Sequence, residues 1–213
     1  RRPMTLAVME AEGWRQIDDA SRAAFEAIVD GLRAQGVTVL RRADHPLVEA
    51  FEQALDGVQA LTGIITGWEN HWAFRNLVAT NPDGVSARTK AVLAAAEAMT
   101  PEDYRAAILR REEIRRRHEA LAPLVDAVIA PASPGPAPLW ADDVPGQPQV
   151  KRPTGDAVYN TPSSALGAPV VTVPMTSVGG MPMGIQVMGQ PHADAVVTAI
   201  ARWMHAAVPF ASA

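Results

Sequence analysis

The sequence contains no cysteine. That excludes a disulfide framework, a thiol nucleophile and a cysteine-ligated metal centre. Aromatic residues make up only 5% of the 213 positions, so Val, Ile, Leu, Met and Ala must fill the interior of a chain that is 48% hydrophobic. Lysine is scarce as well: Lys90 and Lys151 stand against 17 arginines. Any chemistry that needs a lysine of depressed pKa has those two candidates. No apolar run approaches the ~20 residues that cross a bilayer, so no membrane partner is expected. A net charge of -4 argues against a nucleic-acid partner, because non-specific affinity for polyanions rests on clustered Lys and Arg. The opening "RRPMTLAV" has neither an initiator Met nor a signal-peptide profile. A strand pattern starts almost at once, which reads as the middle of a longer protein.

What is present is a strong periodic pattern. "MTLAVME" (4–10) reads as a buried strand, and "IDDASRAAFEAIVDGLRAQG" (17–36) as an amphipathic helix with Phe25, Ile28, Val29 and Leu32 at helical spacing and Gly36 as its stop. "VTVLRR" (37–42) is then a second strand, parallel to the first through a right-handed crossover. "EAEGW" after the first strand has a single glycine, too few for a phosphate-binding loop, and no dinucleotide cofactor is expected. From His45 to Asn81, "PLVEAFEQAL" and "WENHWAFRNLVA" read as helices, with "TGIITG" between them as a turn or short strand. Histidines at 45, 71, 118, 192 and 205 never fall at ligand spacing. They read as surface or half-buried residues, and no metal site is expected.

The segment 100–124 carries the clearest helix signature. Thr100 stands at the N-cap, Pro101 at the first helical position and Asp103 three residues after the cap. Its apolar side holds Tyr104, Ile108, Ile114, Leu121 and Leu124. Its polar side interleaves arginines 110, 111 and 115–117 with Glu112, Glu113 and Glu119, a solvated face of local ion pairs rather than a nucleic-acid stripe. Then "DAVIAP", "PVVTVPM" and "MGIQVMG" follow as short strands, with "TSVGG" as the hairpin connection between the last two. The first two of these strands are apolar on both faces, which requires cover on both sides of a sheet. "HADAVVTAIARWMHAA" (192–207) closes the chain as a helix facing Val197, Ile200 and Met204 inward. The fold class is therefore α/β: a mixed twisted sheet covered by helices on both faces, in one domain over 1–213. The Pro/Gly-rich stretch 131–155 is too long for a tight turn, and loops of that length are often functional.

These residues resemble a known family. "DAVIAPASPGPAP", "TGDAVYNTPSSALGAPVVTVPM" and "GGMPMGIQVMGQPHADA" are similar, in order and spacing, to three successive segments of the amidase signature enzymes. "MTPEDYRAAILRR" resembles the family's Tyr-containing helix, and "MTLAVMEAEG" with "AAFEAIVDGLRAQGVTVL" its strand–helix–strand entry to the C-terminal half. The resemblance implies the C-terminal part of a single amidase domain. It implies hydrolysis of carboxylic amides by a serine nucleophile, a bridging serine on a cis peptide bond and a lysine base. A serine hydroxyl needs such a base within hydrogen-bond reach, and a lysine serves only where its pKa is lowered. In the family these groups, with a Gly/Ser-rich loop that supplies oxyanion donors, lie in the N-terminal half. No such loop occurs here. Ser163-Ser164 lies in "NTPSSALG", a core-facing segment of the family, while Lys90 reads as near a helix start and Lys151 as a loop residue. No catalytic residue is expected within the chain, and on its own it is expected to be inactive.

What the resemblance leaves to this part is scaffold and substrate pocket. The loop 131–160 is expected over the substrate, with Trp140 as a pocket wall. Asp156 and Asn160 match the Asp and Asn of the family's "TGD…N" stretch, either binding a substrate polar group or holding the loop by Asx-type hydrogen bonds. The implied partner is a small-molecule amide. Association with a missing N-terminal half or with another copy would cover the cut sheet edge, and the expected location is the cytoplasm. A free-standing module that binds a ligand or partner without catalysis, and a part like the A-type subunit of an amidotransferase, remain open alternatives.

Overall fold

The computed structural model describes residues 1–138 and 156–213. Its centre is a six-stranded mixed sheet built from β1 (Thr5–Val8), β2 (Thr38–Leu40), β3 (Ala127–Pro131), β4 (Val170–Val178), β5 (Met181–Met188) and β6 (Ala211–Ser212), in the order β2-β1-β3-β5-β4-β6. β1 pairs in parallel with both β2 and β3, β5 runs antiparallel to β3 and β4, and β6 lies parallel to β4. The turn between β4 and β5 is Gly179-Gly180, both with positive φ (56° and 79°). Thr176–Val178 thus belong to β4 rather than to the connection. A two-residue turn of that hand matches the twist of the strands it joins, and glycine adopts it without steric cost.

The two-sided apolarity of the strands follows from what covers them. Successive side chains of a strand point to opposite faces. Leu6, Val8, Ala127, Ile129, Ile185 and Val187 enter one core with Phe25, Ile28, Leu32, Val197, Ile200 and Met204, the inward stripes of α1 (Asp19–Ala34) and α7 (Asp194–Ala207). Ala7, Met9, Val128, Ala130 and Met188 enter a second core. That one is closed by α2 (Pro46–Ala54), α3 (Val58–Thr80), α5 (Pro101–Glu119) and α6 (Asn160–Leu166). Helices therefore cover both faces, as the strand pattern requires. Burying one Val, Leu or Ile contributes about 1.5–3 kcal/mol, so interdigitated rows of this length are the main stabilising term.

Local signals place most helix ends. Asp18 caps α1, accepting the Ser21 amide at 2.7 Å and the Ser21 hydroxyl at 2.8 Å. The Thr100–Asp103 capping box forms in both directions: the Asp103 amide donates to the Thr100 hydroxyl at 3.2 Å, and the Thr100 amide to the Asp103 carboxylate at 2.8 Å. The arginine face of α5 is laced to its own acids, Arg115 with Glu112 and Arg116 and Arg117 with Glu113.

Four features depart from the sequence reading. "TGIITG" lies inside the 23-residue α3. Its β-branched residues suggest a strand, but Val58, Leu61 and Ile65 are buried at helical spacing, and tertiary packing overrides the local preference. The helix begun at Thr100 ends at Glu119, and Leu121 and Leu124 follow in a turn. α6 and β6 carried no sequence signal: seven and two residues respectively are too short for a period to register. Finally, His118 is only 2% exposed. It packs its ring 5.6 Å from that of Phe51, and burial pushes its pKa down to about 4, so it is a neutral core residue.

Candidate functional site

β3 and β5 deliver their loops to the same end of the sheet. Beyond Pro131 the chain turns along Ala132–Pro138, and the Ala132 amide donates to the Gly184 carbonyl of β5 at 2.9 Å. The other side of this segment is tied to the start of α1. There the Asp18 amide donates to the Pro134 carbonyl at 3.1 Å, and Gly135 packs so near that a Cβ on it would lie 2.7 Å from Asp18 Oδ2. The Ser133 hydroxyl closes the turn on the Gly135 carbonyl at 2.6 Å.

Between this segment, the entry to α6 and residues Pro182–Gly184 opens a cleft of about 760 Å³. Gln16, Asp18, Asp156, Asn160, Met183 and Gly184 line it together with the 132–138 segment. Two of the residues expected from sequence, Asp156 and Asn160, are thus brought together in one cleft. Asp156 Oδ1 accepts the Val158 amide at 2.9 Å and the Gln59 side-chain amide at 3.1 Å, an Asx-type turn fastened to α3. Asn160 opens α6, its amide donating to the Ala157 carbonyl at 2.9 Å. The third, Trp140, lies outside the described residues.

Gln186 and Tyr159 do not line the cleft but are buried beside its walls. Gln186 is 4% exposed and donates from Nε2 to the Pro131 and Tyr159 carbonyls, each at 3.1 Å. The Tyr159 ring is fully buried against Gly13, burial pushes its phenol pKa upward, and its hydroxyl has no hydrogen-bond partner among the described residues. Sequence reasoning does not single out Asp18, and it places Gly184 and Gln186 in the stretch "GGMPMGIQVMGQPHADA" that carries the resemblance without giving either a role. Asp18-x-x-Ser21 is a readable N-cap signal, whereas the bond between Gln186 and two distant carbonyls has no sequence signature.

Carboxylates, a carboxamide and a small-residue wall can orient a polar ligand by hydrogen bonds. They do not make an activated nucleophile. The Ser163 hydroxyl donates to the Asn160 carbonyl at 2.8 Å, a bond internal to its helix, and Ser164 is exposed. Lys90 is an exposed residue of α4 (Ala87–Glu97), and Lys151 lies outside the described residues. Among the described residues no serine is hydrogen-bonded to a lysine, no cluster of three or more His, Asp or Glu is arranged to hold a metal, and no helix is long and apolar enough to cross a membrane. A second cleft of about 500 Å³, between α5 and the start of α7, contains none of the residues expected from sequence.

The family model described as Amidase matches residues 1–197. A crystal structure of an amidase superposes on 98% of the chain with a TM-score of 0.77 and 27% identity, and the chain spans 46% of that protein. The chain is similar over 78 residues, at 35% identity, to the A-type subunit of the glutamyl-tRNA(Gln) amidotransferase of Bartonella bacilliformis, which is 36% of this chain and 16% of that relative. Over 116 residues it is 30% identical to a fatty acid amide hydrolase of Medicago truncatula, 53% of this chain and 19% of that one. The chain thus spans less than half the length of the proteins it matches.

Proposed function

We propose that this chain, which belongs to the amidase family, is the scaffold and one substrate-cleft wall of an enzyme that hydrolyses a carboxylic amide. The nucleophilic serine, the bridging serine and the lysine base are contributed from outside residues 1–213, and this chain is one part of a single amidase domain. One observation carries the reading. The 760 Å³ cleft gathers Asp156, Asn160 and the 132–138 wall, while no serine–lysine pair stands beside them among the described residues. Amide hydrolysis needs a nucleophile with its base, donors to the developing oxyanion, and a surface that holds the acyl or amine part in register. The cleft meets the last requirement alone.

In this reading Asp156 and Asn160 bind or position a polar group of the substrate, and Trp140 belongs to the wall. The substrate is a small-molecule amide, and the serine and lysine chemistry requires no cofactor. The remaining half of the domain docks on the open edge of β4, whose outer side, among the described residues, meets only β6, at Thr176 and Ser177. A cytoplasmic location fits a chain without disulfides. A role like that of an amidotransferase's A-type subunit is favoured by the match to the Bartonella bacilliformis protein. The ion-paired arginine face of α5 weighs against RNA contact from this part.

The test is a panel of aliphatic and aromatic amides, assayed with the full-length protein and with the 213-residue chain. Turnover is expected from the former alone, with Ser163→Ala and Ser164→Ala as active as the parent. Turnover by the short chain, lost in either serine variant, overturns the assignment.

A further inference from the structure

We propose that Gln186 is the positioning residue of the substrate cleft, holding its two walls at a fixed separation. The proposal rests on the amide-hydrolase reading above and assigns a role which that reading does not. β5 enters the sheet as Gly184-Ile185-Gln186, between β3 and β4, with Ala130, Gln186 and Thr172 in register across the three strands. Ile185 is 1% exposed and faces the α1–α7 core. The residues on either side of it, Gly184 and Gln186, face the opposite side of the sheet.

The first wall is tied to β5 at Gly184, whose carbonyl accepts the Ala132 amide at 2.9 Å; a Cβ on Gly184 would lie 2.3 Å from Thr172 Cγ2, so a side chain there would crowd β4. Gln186 then fixes the distance to the second wall. The two hydrogens of its carboxamide go to two carbonyls 28 residues apart, Pro131 at the root of the 132–138 wall and Tyr159 at the root of the 156–160 wall. Both bonds are buried, so loss of the donor removes two buried hydrogen bonds and a side chain that links both roots. A cleft displaced by about 1 Å loses orientation of its ligand well before the fold is lost.

The experiment uses the full-length enzyme. Gln186→Leu is compared with Gln190→Leu, which deletes a similar bond, Gln190 Nε2 to the His118 carbonyl at 2.8 Å, remote from this cleft. Gln186→Leu is expected to raise KM about tenfold or more with a smaller change in kcat, and to speed hydrogen exchange of the 132–138 and 156–160 segments. Gln190→Leu is expected to leave KM and those two segments unchanged whatever it does to Tm. Gln186→Glu keeps the length and shape and carries the same expectation if the leucine variant does not fold. Unchanged KM and exchange in the Gln186 variants, or an equal rise of KM in Gln190→Leu, overturns the proposal. If the parent enzyme hydrolyses no amide, the functional reading fails separately, and exchange of the two segments alone decides the role of Gln186.

Discussion

The buried carboxylate of Glu52 accepts the backbone amide of Glu10 at 2.7 Å, with the Ala11 amide on its other oxygen at 2.8 Å. A side chain of α2 thereby closes the end of β1, just where Ala11 takes a left-handed φ of 46°. Burial pushes the Glu52 pKa up to about 7 from 4.5, against the pull of the two amides it accepts. In the unfolded chain it ionises near its ordinary value. Between about pH 4.5 and 7 the folded form therefore holds the proton more tightly than the unfolded form. This contribution is fully present below pH 4.5, falls as pH rises through 7, and stays lost above. Urea denaturation at pH 5 and pH 8 should show a drop in stability across that window, of a few kcal/mol at most. Glu52→Gln should flatten the drop and lower the pH 5 value, because it donates where two donors need acceptors. An equal pH profile in both proteins would show that Glu52 does not titrate there.

Gly13 lies against the Tyr159 ring so closely that a Cβ would come within 2.5 Å of Tyr159 Cζ. The ring is fully buried and has nowhere to retreat. Gly13→Ala should cost about 1–3 kcal/mol by overpacking. Tyr159→Leu costs stability on its own but removes the clash, so a double-mutant cycle by chemical denaturation should give a favourable coupling between the two positions. Additive costs would mean that the backbone moves instead.

The contrast between Glu52 and Phe25 shows how far the sequence can be read. Phe25, Ile28 and Leu32 announce their helix and its buried face by spacing alone, and the strands on either side announce cover on both faces. Asp156 and Asn160 could be picked out by resemblance and do meet in one cleft. Glu52 gives no signal, being a polar residue inside an ordinary amphipathic pattern, and Gln186 lies in a stretch that carries the resemblance but nothing in that stretch gives its role. Their roles come from backbone groups that arrive from distant parts of the chain. The same holds for α3, where "TGIITG" has the local preference of a strand and only packing against α4, α5 and α6 makes it helical.

Thr100 and Asp103 exchange hydrogen bonds at the start of α5, and acceptance of the Thr100 amide and hydroxyl lowers the Asp103 pKa. Thr100→Ala should cost about 1 kcal/mol, read as a lower urea midpoint with an unchanged denaturant slope. Thr100→Ser should restore most of it. A serine variant as unstable as the alanine variant would place the effect in the threonine methyl rather than in the cap.

β4 is the strand on which the proposed half-domain organisation can be tested without any substrate. On its inner side it is paired with β5 from Val170 to Val178, yet on its outer side β6 meets only Thr176 and Ser177. From Val170 to Val173 no strand pairs the outer edge among the described residues. A shallow cleft of about 350 Å³, lined by Val171, Val173, Thr198, Arg202 and His205, runs beside it. An open edge of this kind is a template for another strand. The 213-residue chain alone should therefore associate as its concentration rises, measured by sedimentation velocity. Val171→Lys should suppress that association, because the lysine stem can lie along the groove while its ammonium stays in water and opposes strand addition. In the full-length protein the same lysine would stand where the companion strand docks, so it should lower Tm there while improving the short chain's behaviour. A short chain that stays monomeric and thermally robust at high concentration, with Val171→Lys neutral in both contexts, would mean that this edge needs no partner.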